Sequence, residues 1–261
     1  MTATSTRPVP VPTLPAATSA WRQLGLLLQW QLRRSGSYLP LMVVVQILIS
    51  VATVIGYGLL VGDPAPEQAL YLATGAPTVT LVVIGLVLTP QMMVQAKTEG
   101  SLDWMRTLPV PREAFLFADL AMWTLIALPG TVLGVVAGAL RFDLVLRPTW
   151  MLVPTVLLVA LTAASIGYAI GTLLPPQLAH MISQVLLFLV MLFTPVSFPA
   201  TNMPQWAQRV HDWLPLEPLA QAMRAGLAPE HFTVSMRQWV VLVVWALASV
   251  LGARWALRRQ G

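Results

Sequence analysis

Four long stretches without a charged side chain constrain the fold of this sequence more than any other feature. They run over residues 35–62, 68–96, 120–140 and 148–208. The hydrocarbon core of a bilayer is about 30 Å thick and takes roughly 20 helical residues, so each of the first three stretches predicts one membrane-spanning helix. The composition agrees, because only 10% of the residues are charged, whereas soluble proteins average about 25%.

The fourth stretch is long enough for two spans, and Pro175-Pro176 predicts where they divide. Adjacent prolines remove two backbone donors and disfavour a continuous helix. A last apolar run completes the set, with Arg237 and Arg254 near its ends, where long side chains reach the interface. The sequence therefore predicts an all-α integral membrane protein with six spans, at about residues 39–61, 69–93, 115–140, 150–174, 181–198 and 236–255.

The region before the first span predicts two different structures. Residues 1–18 are rich in Pro, Thr and Ala, which is typical of a disordered tail, and residues 19–261 form the transmembrane domain. From Ala20 to Arg34 the apolar spacing predicts an interfacial helix on the cytoplasmic surface. Its apolar stripe comprises Trp21, Leu24, Leu28 and Leu32. The helix serves either as a simple anchor or also as a contact with a cytoplasmic partner.

The distribution of basic residues predicts the orientation. If the N-terminus is cytoplasmic, ten of the 15 basic residues lie inside and five lie outside, namely Arg141, Arg147, Arg209, Arg224 and Arg237. This bias favours cytoplasmic termini, since cytoplasmic loops carry the excess of Lys and Arg. The near-exclusive use of Arg over Lys, with abundant Ala, Val, Leu and Pro, is typical of a high-GC bacterial genome. The predicted location is therefore the bacterial cell membrane.

Small residues predict where the spans pack together. Glycines recur every four residues in the third span and again in the fourth. Such spacing lets neighbouring helices approach closely, and we favour this packing role over contact with a ligand. The glycines are Gly130, Gly134, Gly138, Gly167 and Gly171.

The chain offers little for catalysis or metal binding. It has no cysteine, and His180, His211 and His231 are widely separated, so we predict no catalytic, cofactor-binding or metal site. Its only lysine, Lys97, is not preceded by the glycines of a P-loop. Asp119 is the acid nearest to a span, where it lies either at the interface or as a functional buried group. Transport against a gradient would therefore take its energy from another chain.

Residues 97–112, which we call the charged segment, hold a dense group of charges between the second and third spans. Gly100 is predicted to end the second span and Ser101 to cap a short helix over residues 102–106. Pro109 and Pro111 would stop that helix before the third span. Apolar Leu102, Trp104 and Met105 would then project among Lys97, Glu99, Asp103 and Arg106.

The charged segment resembles the corresponding segment of ABC-2 type permeases. Glu99-Gly100-Ser101-Leu102-Asp103, followed by Thr107-Leu108-Pro109-Val110-Pro111-Arg112-Glu113, is similar to the family's Glu-x-Gly-Thr-Leu-Glu and Thr-Pro-Val-Ser-Arg. The chain departs from the family pattern in two places. A single acid precedes Gly100, where the family commonly has an acidic pair, and Asp119 lies where a Gly-Lys often begins the third span. A second resemblance covers Phe198-Pro199, Met203-Pro204-Gln205-Trp206 and residues 214–219.

The resemblance implies a permease subunit of an ATP-driven exporter for a hydrophobic or amphiphilic substrate such as a drug, an antibiotic or a lipid. It implies a homodimer or heterodimer of permeases and two separate ABC ATPase subunits that carry ATP and Mg²⁺. The implied coupling helix comprises Lys97, Glu99, Gly100, Ser101, Leu102, Asp103, Trp104 and Arg106. The implied external re-entrant helices between the fifth and sixth spans include Pro199, Met203, Pro204, Trp206, Pro215 and Pro218.

Two further questions stay open at the level of sequence. Phe188, Met191 and Phe193 have soft or aromatic side chains suited to amphiphilic cargo, although such residues in a span also pack or face lipid.

The alternative functions are an ion-coupled secondary transporter and a membrane assembly factor without transport activity. Mid-membrane acids would support the first, and the lack of an ATPase partner would support the second. The sequence shows no basic face of the kind that binds nucleic acid, so we predict no nucleic-acid partner.

Overall fold

The computed structural model describes residues 20–34, 36, 38–100 and 112–259 of the chain. Within these ranges every regular element is helical, and six helices are long and apolar enough to cross a membrane, which confirms the predicted fold class. The predicted tail, residues 1–18, lies outside the described residues. We number the membrane helices spans 1 to 6: Leu39–Val61, Pro66–Thr98, Arg112–Arg141, Leu152–Leu173, Pro176–Phe193 and Met236–Arg259.

Span 2 is the central helix of the fold, and its middle part, residues 69–90, is almost entirely buried. It contains a π-helical turn, Ile84–Leu88, which ends with a hydrogen bond from the Thr89 N–H to the Ile84 carbonyl. Pro90 follows directly, and in a regular α-helix its ring would clash with the carbonyl four residues earlier. The wider turn before Pro90 lets the helix continue. Span 2 runs from Pro66 to Thr98 and is thus longer at both ends than the predicted 69–93.

The predicted glycines lie where helices cross. A Cβ atom at Gly167 of span 4 would lie 1.9 Å from the carbonyl oxygen of Gly85 in span 2. Only a residue without a side chain allows this approach. The other four make similar close contacts: Gly130 with Gln46, Gly134 with Ser50, Gly138 with Ala73, and Gly171 with Met93 and Pro90. Glycines therefore bring span 3 against spans 1 and 2, and span 4 against span 2.

Span 5 begins at Pro176 and ends at Phe193, whereas the prediction ran from 181 to 198. Pro175 and Pro176 end span 4 and start span 5 without an intervening loop, because proline is tolerated at the first position of a helix. Thr194 is extended, with φ −99° and ψ 130°. The residue before a proline avoids the helical region, so Pro195 explains the earlier end.

Residues 194–235, which we call the connector, join spans 5 and 6. The connector contains a 3₁₀ turn, Ala200–Asn202, a first connector helix, Gln205–His211, and a second connector helix, Leu216–Leu227. Leu219, Met223 and Leu227 of the second helix are fully buried, as their helical spacing predicts. This helix therefore packs into the protein and is not a free surface loop.

Candidate coupling site

Lys97 lies in the last turn of span 2 and joins it to span 4. Its Nζ donates hydrogen bonds to the carbonyl oxygens of Thr172 and Leu174, the second at 3.2 Å. Pro176, four residues after Thr172, has no N–H to offer that carbonyl. The Lys97 ammonium supplies donors at this helix end, where a positive charge also complements the helix dipole.

Span 2 ends directly before the charged segment. Gly100 has a φ of 71°, and its N–H donates to the Lys97 carbonyl at 3.2 Å. This left-handed conformation suits glycine at a helix C-terminus. Glu99 is exposed, and its Oε1 accepts a hydrogen bond of 2.6 Å from Gln95. The other predicted coupling residues, Ser101, Leu102, Asp103, Trp104 and Arg106, lie outside the described residues.

The N-terminal helix, Ala20–Arg34, packs on the start of span 3, where the charged segment ends. Leu27 contacts Phe115 and Ala118, and Gln31 Nε2 donates a hydrogen bond to Asp119 Oδ1. Among the described side chains of this helix, Leu27 and Gln31 are buried, and the predicted apolar stripe did not include either of them. Leu28 and Leu32 of that stripe are partly buried against the core. Their i, i+4 spacing places both residues on one face of the helix, which the sequence could have indicated. Only the packing against span 3 shows that this face is the buried one.

The hydrogen bond between Gln31 and Asp119 should hold the N-terminal helix in place. Replacing Gln31 with leucine removes the donor to a half-buried carboxylate, and a hydrogen bond to a charged group contributes about 1.5–3 kcal/mol. We expect hydrogen exchange in Ala20–Arg34 to accelerate about tenfold or more in lipid nanodiscs. The control is Gln29→Leu on the exposed face of the same helix, which should leave the exchange unchanged. Equal exchange in both variants would contradict the prediction.

A buried arginine in the connector is the main polar feature that the sequence analysis missed, since it counted Arg224 only as an external charge. Arg224 is 2% exposed. Its Nη2 donates to the carbonyls of Pro195, at 2.9 Å, and Val196, and its guanidinium carbon lies 4.4 Å from the centre of the Tyr71 ring. The available signal was its position directly after Met223, on the buried side of an amphipathic helix.

Arg224 lies near the carboxyl group of Glu217, which in turn lies near Asp212 and Arg237. Burial lowers the pKa of Arg224 to about 10. Burial also raises the pKa of the Glu217 carboxyl, and the negative charge of Asp212 raises it further. Asp212 forms an ion pair with Arg237 at 2.7 Å, which links the first connector helix to the start of span 6. The connector thus holds a charged cluster of both signs next to the membrane-spanning core.

The predicted re-entrant residues have different environments. Pro215 and Pro218 are buried, Pro199 and Met203 are half-buried, and Pro204 is exposed. Trp206 is 71% exposed and lies on the same exposed face as Val210 and Trp213. Two tryptophans on one exposed face are typical of a membrane interface.

The three candidate path residues, Phe188, Met191 and Phe193, are exposed along span 5 and point away from the core of their own chain. They are therefore open to lipid or to another chain. In the described part of the chain, no three His, Asp or Glu side chains cluster as a metal site would require.

Six membrane-spanning helices, with charged side chains concentrated at the helix ends and in the connector, define a polytopic helical membrane protein. The family model described as ABC-2 type transporter matches residues 22–228, from the N-terminal helix through the second connector helix. The chain belongs to the ABC-2 type transporter family, and it is the membrane-spanning permease component of an ABC transporter. Membership of this family implies pairing with an ABC ATPase. No curated protein sequence matches the chain.

Proposed function

We propose that the chain is the permease subunit of an ATP-driven exporter in a bacterial cell membrane, with both termini in the cytoplasm. Two permeases, identical or related, work with two ATPase subunits that bind ATP and Mg²⁺. The charged segment forms the coupling contact with the ATPase through residues 99–106, and Lys97 joins this contact to span 4. The exported substrate is hydrophobic or amphiphilic, in the class of drugs, antibiotics and lipids.

The observation that carries this proposal is the attachment of both ends of the charged segment to membrane helices. At its start, Lys97 bonds to the last carbonyls of span 4, beside the start of span 5. At its end, span 3 holds the N-terminal helix through Gln31 and Asp119. A push on the charged segment would therefore reach spans 3, 4 and 5 through direct contacts, as coupling to an ATPase requires.

The placement of Phe188, Met191 and Phe193 supports a path formed between two permeases. These side chains face away from their own chain, so they can enclose a substrate only if a second permease faces them. Their aromatic and thioether groups adapt to varied apolar molecules. We therefore place the substrate path along span 5 at the contact between two permease chains.

The proposal is tested by co-purification and by ATP hydrolysis. Tagged permease is extracted from its native membrane, chains that co-purify are searched by mass spectrometry for a P-loop, and the complex is assayed in lipid. We expect an ATPase subunit whose hydrolysis depends on the permease. The double variant Glu99→Lys, Asp103→Lys should lower its recovery about tenfold or more, because charge reversal replaces attraction with repulsion at a specific interface.

A matched control exists at the opposite end of span 2. Asp63 and Glu67 are also two acids four residues apart, and both are exposed. Charge reversal of this second pair should leave ATPase recovery unchanged. The exporter proposal fails if no P-loop protein associates. The assignment of the coupling contact to the charged segment fails if both double variants recover the ATPase as well as the parent chain.

A further inference from the structure

The loop after span 5 is held by a side chain from a different element. Thr194 and Pro195 interrupt the helix, so the carbonyls of Pro195 and Val196 are not part of a helical ladder. Both accept hydrogen bonds from Nη2 of Arg224, and Nη1 of the same residue donates to Gln221 at 3.2 Å. A planar guanidinium presents several donors in one rigid fork, which lysine cannot reproduce.

Span 2 forms the other side of this contact. A Cβ atom at Gly75 would lie 2.3 Å from the Val196 carbonyl oxygen, so the loop rests directly on the backbone of span 2. One turn away, the Tyr71 ring packs on the Arg224 guanidinium. The loop after span 5 therefore lies between span 2 and the second connector helix, and Arg224 binds it there.

A second acceptor for Arg224 lies on its own helix. Glu217 is seven residues earlier, which places it on the same side of the second connector helix two turns away. Its Oε2 is buried and accepts no hydrogen bond within the described residues, and Arg224 Nε is likewise buried without an acceptor there. If the Arg224 guanidinium leaves the loop carbonyls, it can still pair with the carboxylate of Glu217 on the same helix.

We infer that Arg224 is a positioning residue for the transport cycle, which holds the end of span 5 closed against span 2 and releases the Pro195 and Val196 carbonyls when the path opens. This inference rests on the proposed exporter function, because it concerns the opening of the path along span 5. Phe193 directly precedes the held loop, so a movement that widens this part of the path also moves the two carbonyls. Glu217 receives the released guanidinium.

The chain has no cysteine, so a single introduced thiol reports this movement without interference. We choose Ser197→Cys, because the Ser197 Oγ is buried beside the held carbonyls. In nanodiscs, which expose both faces of the protein, maleimide should label this thiol about tenfold faster or more when Arg224→Gln is added, since opening exposes the loop. Arg224→Lys keeps the charge without the fork and should give an intermediate rate. Thr201→Cys, on an exposed residue, should react equally in all three backgrounds.

The second measurement uses the complex with its ATPase, trapped with ATP and vanadate. We expect trapping to accelerate labelling of Ser197→Cys in the parent background and to add little in the Arg224→Gln background, where the loop is already released. Equal labelling of Ser197→Cys with and without Arg224→Gln overturns the inference, and so does equal labelling with and without trapping. If Arg224→Gln does not fold, Arg224→Lys and the trapping comparison decide the question. Failure to find an ATPase overturns the exporter proposal separately, because the nanodisc comparison needs the permease alone.

Discussion

Replacing Gly167 with alanine is expected to lower the melting temperature of the lipid-embedded protein by roughly 2–12 °C, the shift that an overpacking cost of about 1–3 kcal/mol produces in a chain of this size. The added methyl group would lie 1.9 Å from the Gly85 carbonyl oxygen and 2.9 Å from Pro90 Cδ. Both obstacles belong to the backbone or to a proline ring, so neither can rotate away. Spans 2 and 4 would have to separate.

The matched control is Gly56→Ala in span 1. A Cβ atom there meets nothing within 4 Å. Alanine is the better helix former, so this variant should keep or raise stability by up to about 1 kcal/mol. Thermal unfolding of both variants in nanodiscs, followed by size-exclusion chromatography, makes the comparison. A Gly167→Ala variant as stable as Gly56→Ala would show that the contact between spans 2 and 4 is looser than described.

Replacing Lys97 with methionine is expected to loosen the junction between spans 2 and 4 and to reduce coupling to the ATPase. Thr172 would lose a hydrogen bond that Pro176 cannot replace, and hydrogen bonds to a charged group contribute about 1.5–3 kcal/mol. Hydrogen exchange near the end of span 4 should therefore accelerate about tenfold. Recovery of the ATPase should persist, since residues 99–106 are unchanged, while ATP turnover by the complex falls.

Lys97→Arg is the conservative control, because it keeps the charge and the donors and should retain most of the coupling. Both measurements use the same reconstituted complex. If Lys97→Met leaves exchange at the end of span 4 and ATP turnover at the parent level, the junction does not transmit motion. Loss of the ATPase from Lys97→Met would instead assign Lys97 to the contact surface with the ATPase.

The six spans were predictable because their causes are local. A hydrocarbon core excludes charge over the length of each span, and Pro175 and Pro176 end one helix and begin the next through their own geometry. The packing role of Gly167 was also predictable, because glycine spacing along one helix indicates a face that a neighbour can approach. The charged segment was recognisable because its motif is contiguous in sequence.

The partners of Lys97, Gln31 and Arg224 were not predictable from the sequence. Lys97 bonds to residues 75 and 77 positions away, and Gln31 bonds to a residue 88 positions away. No periodicity along one helix indicates which carbonyl or carboxylate another helix will present. Sequence reasoning placed Lys97 in a coupling helix and Arg224 among the external charges. The structure does not test the coupling role, but it shows that both side chains donate hydrogen bonds to carbonyls of other elements.

The sequence by itself determined a membrane protein of six helices, the break at Pro175 and Pro176 between spans 4 and 5, and the charged segment for which we propose a partner contact. These properties follow from hydrophobicity, proline geometry and contiguous motifs, all of which act within one element. Only the tertiary structure decided which helices are tied together at their ends. Those ties depend on single buried or half-buried donors and acceptors that meet only after the spans have packed, because a polar group withdrawn from water needs a hydrogen-bond partner inside the protein.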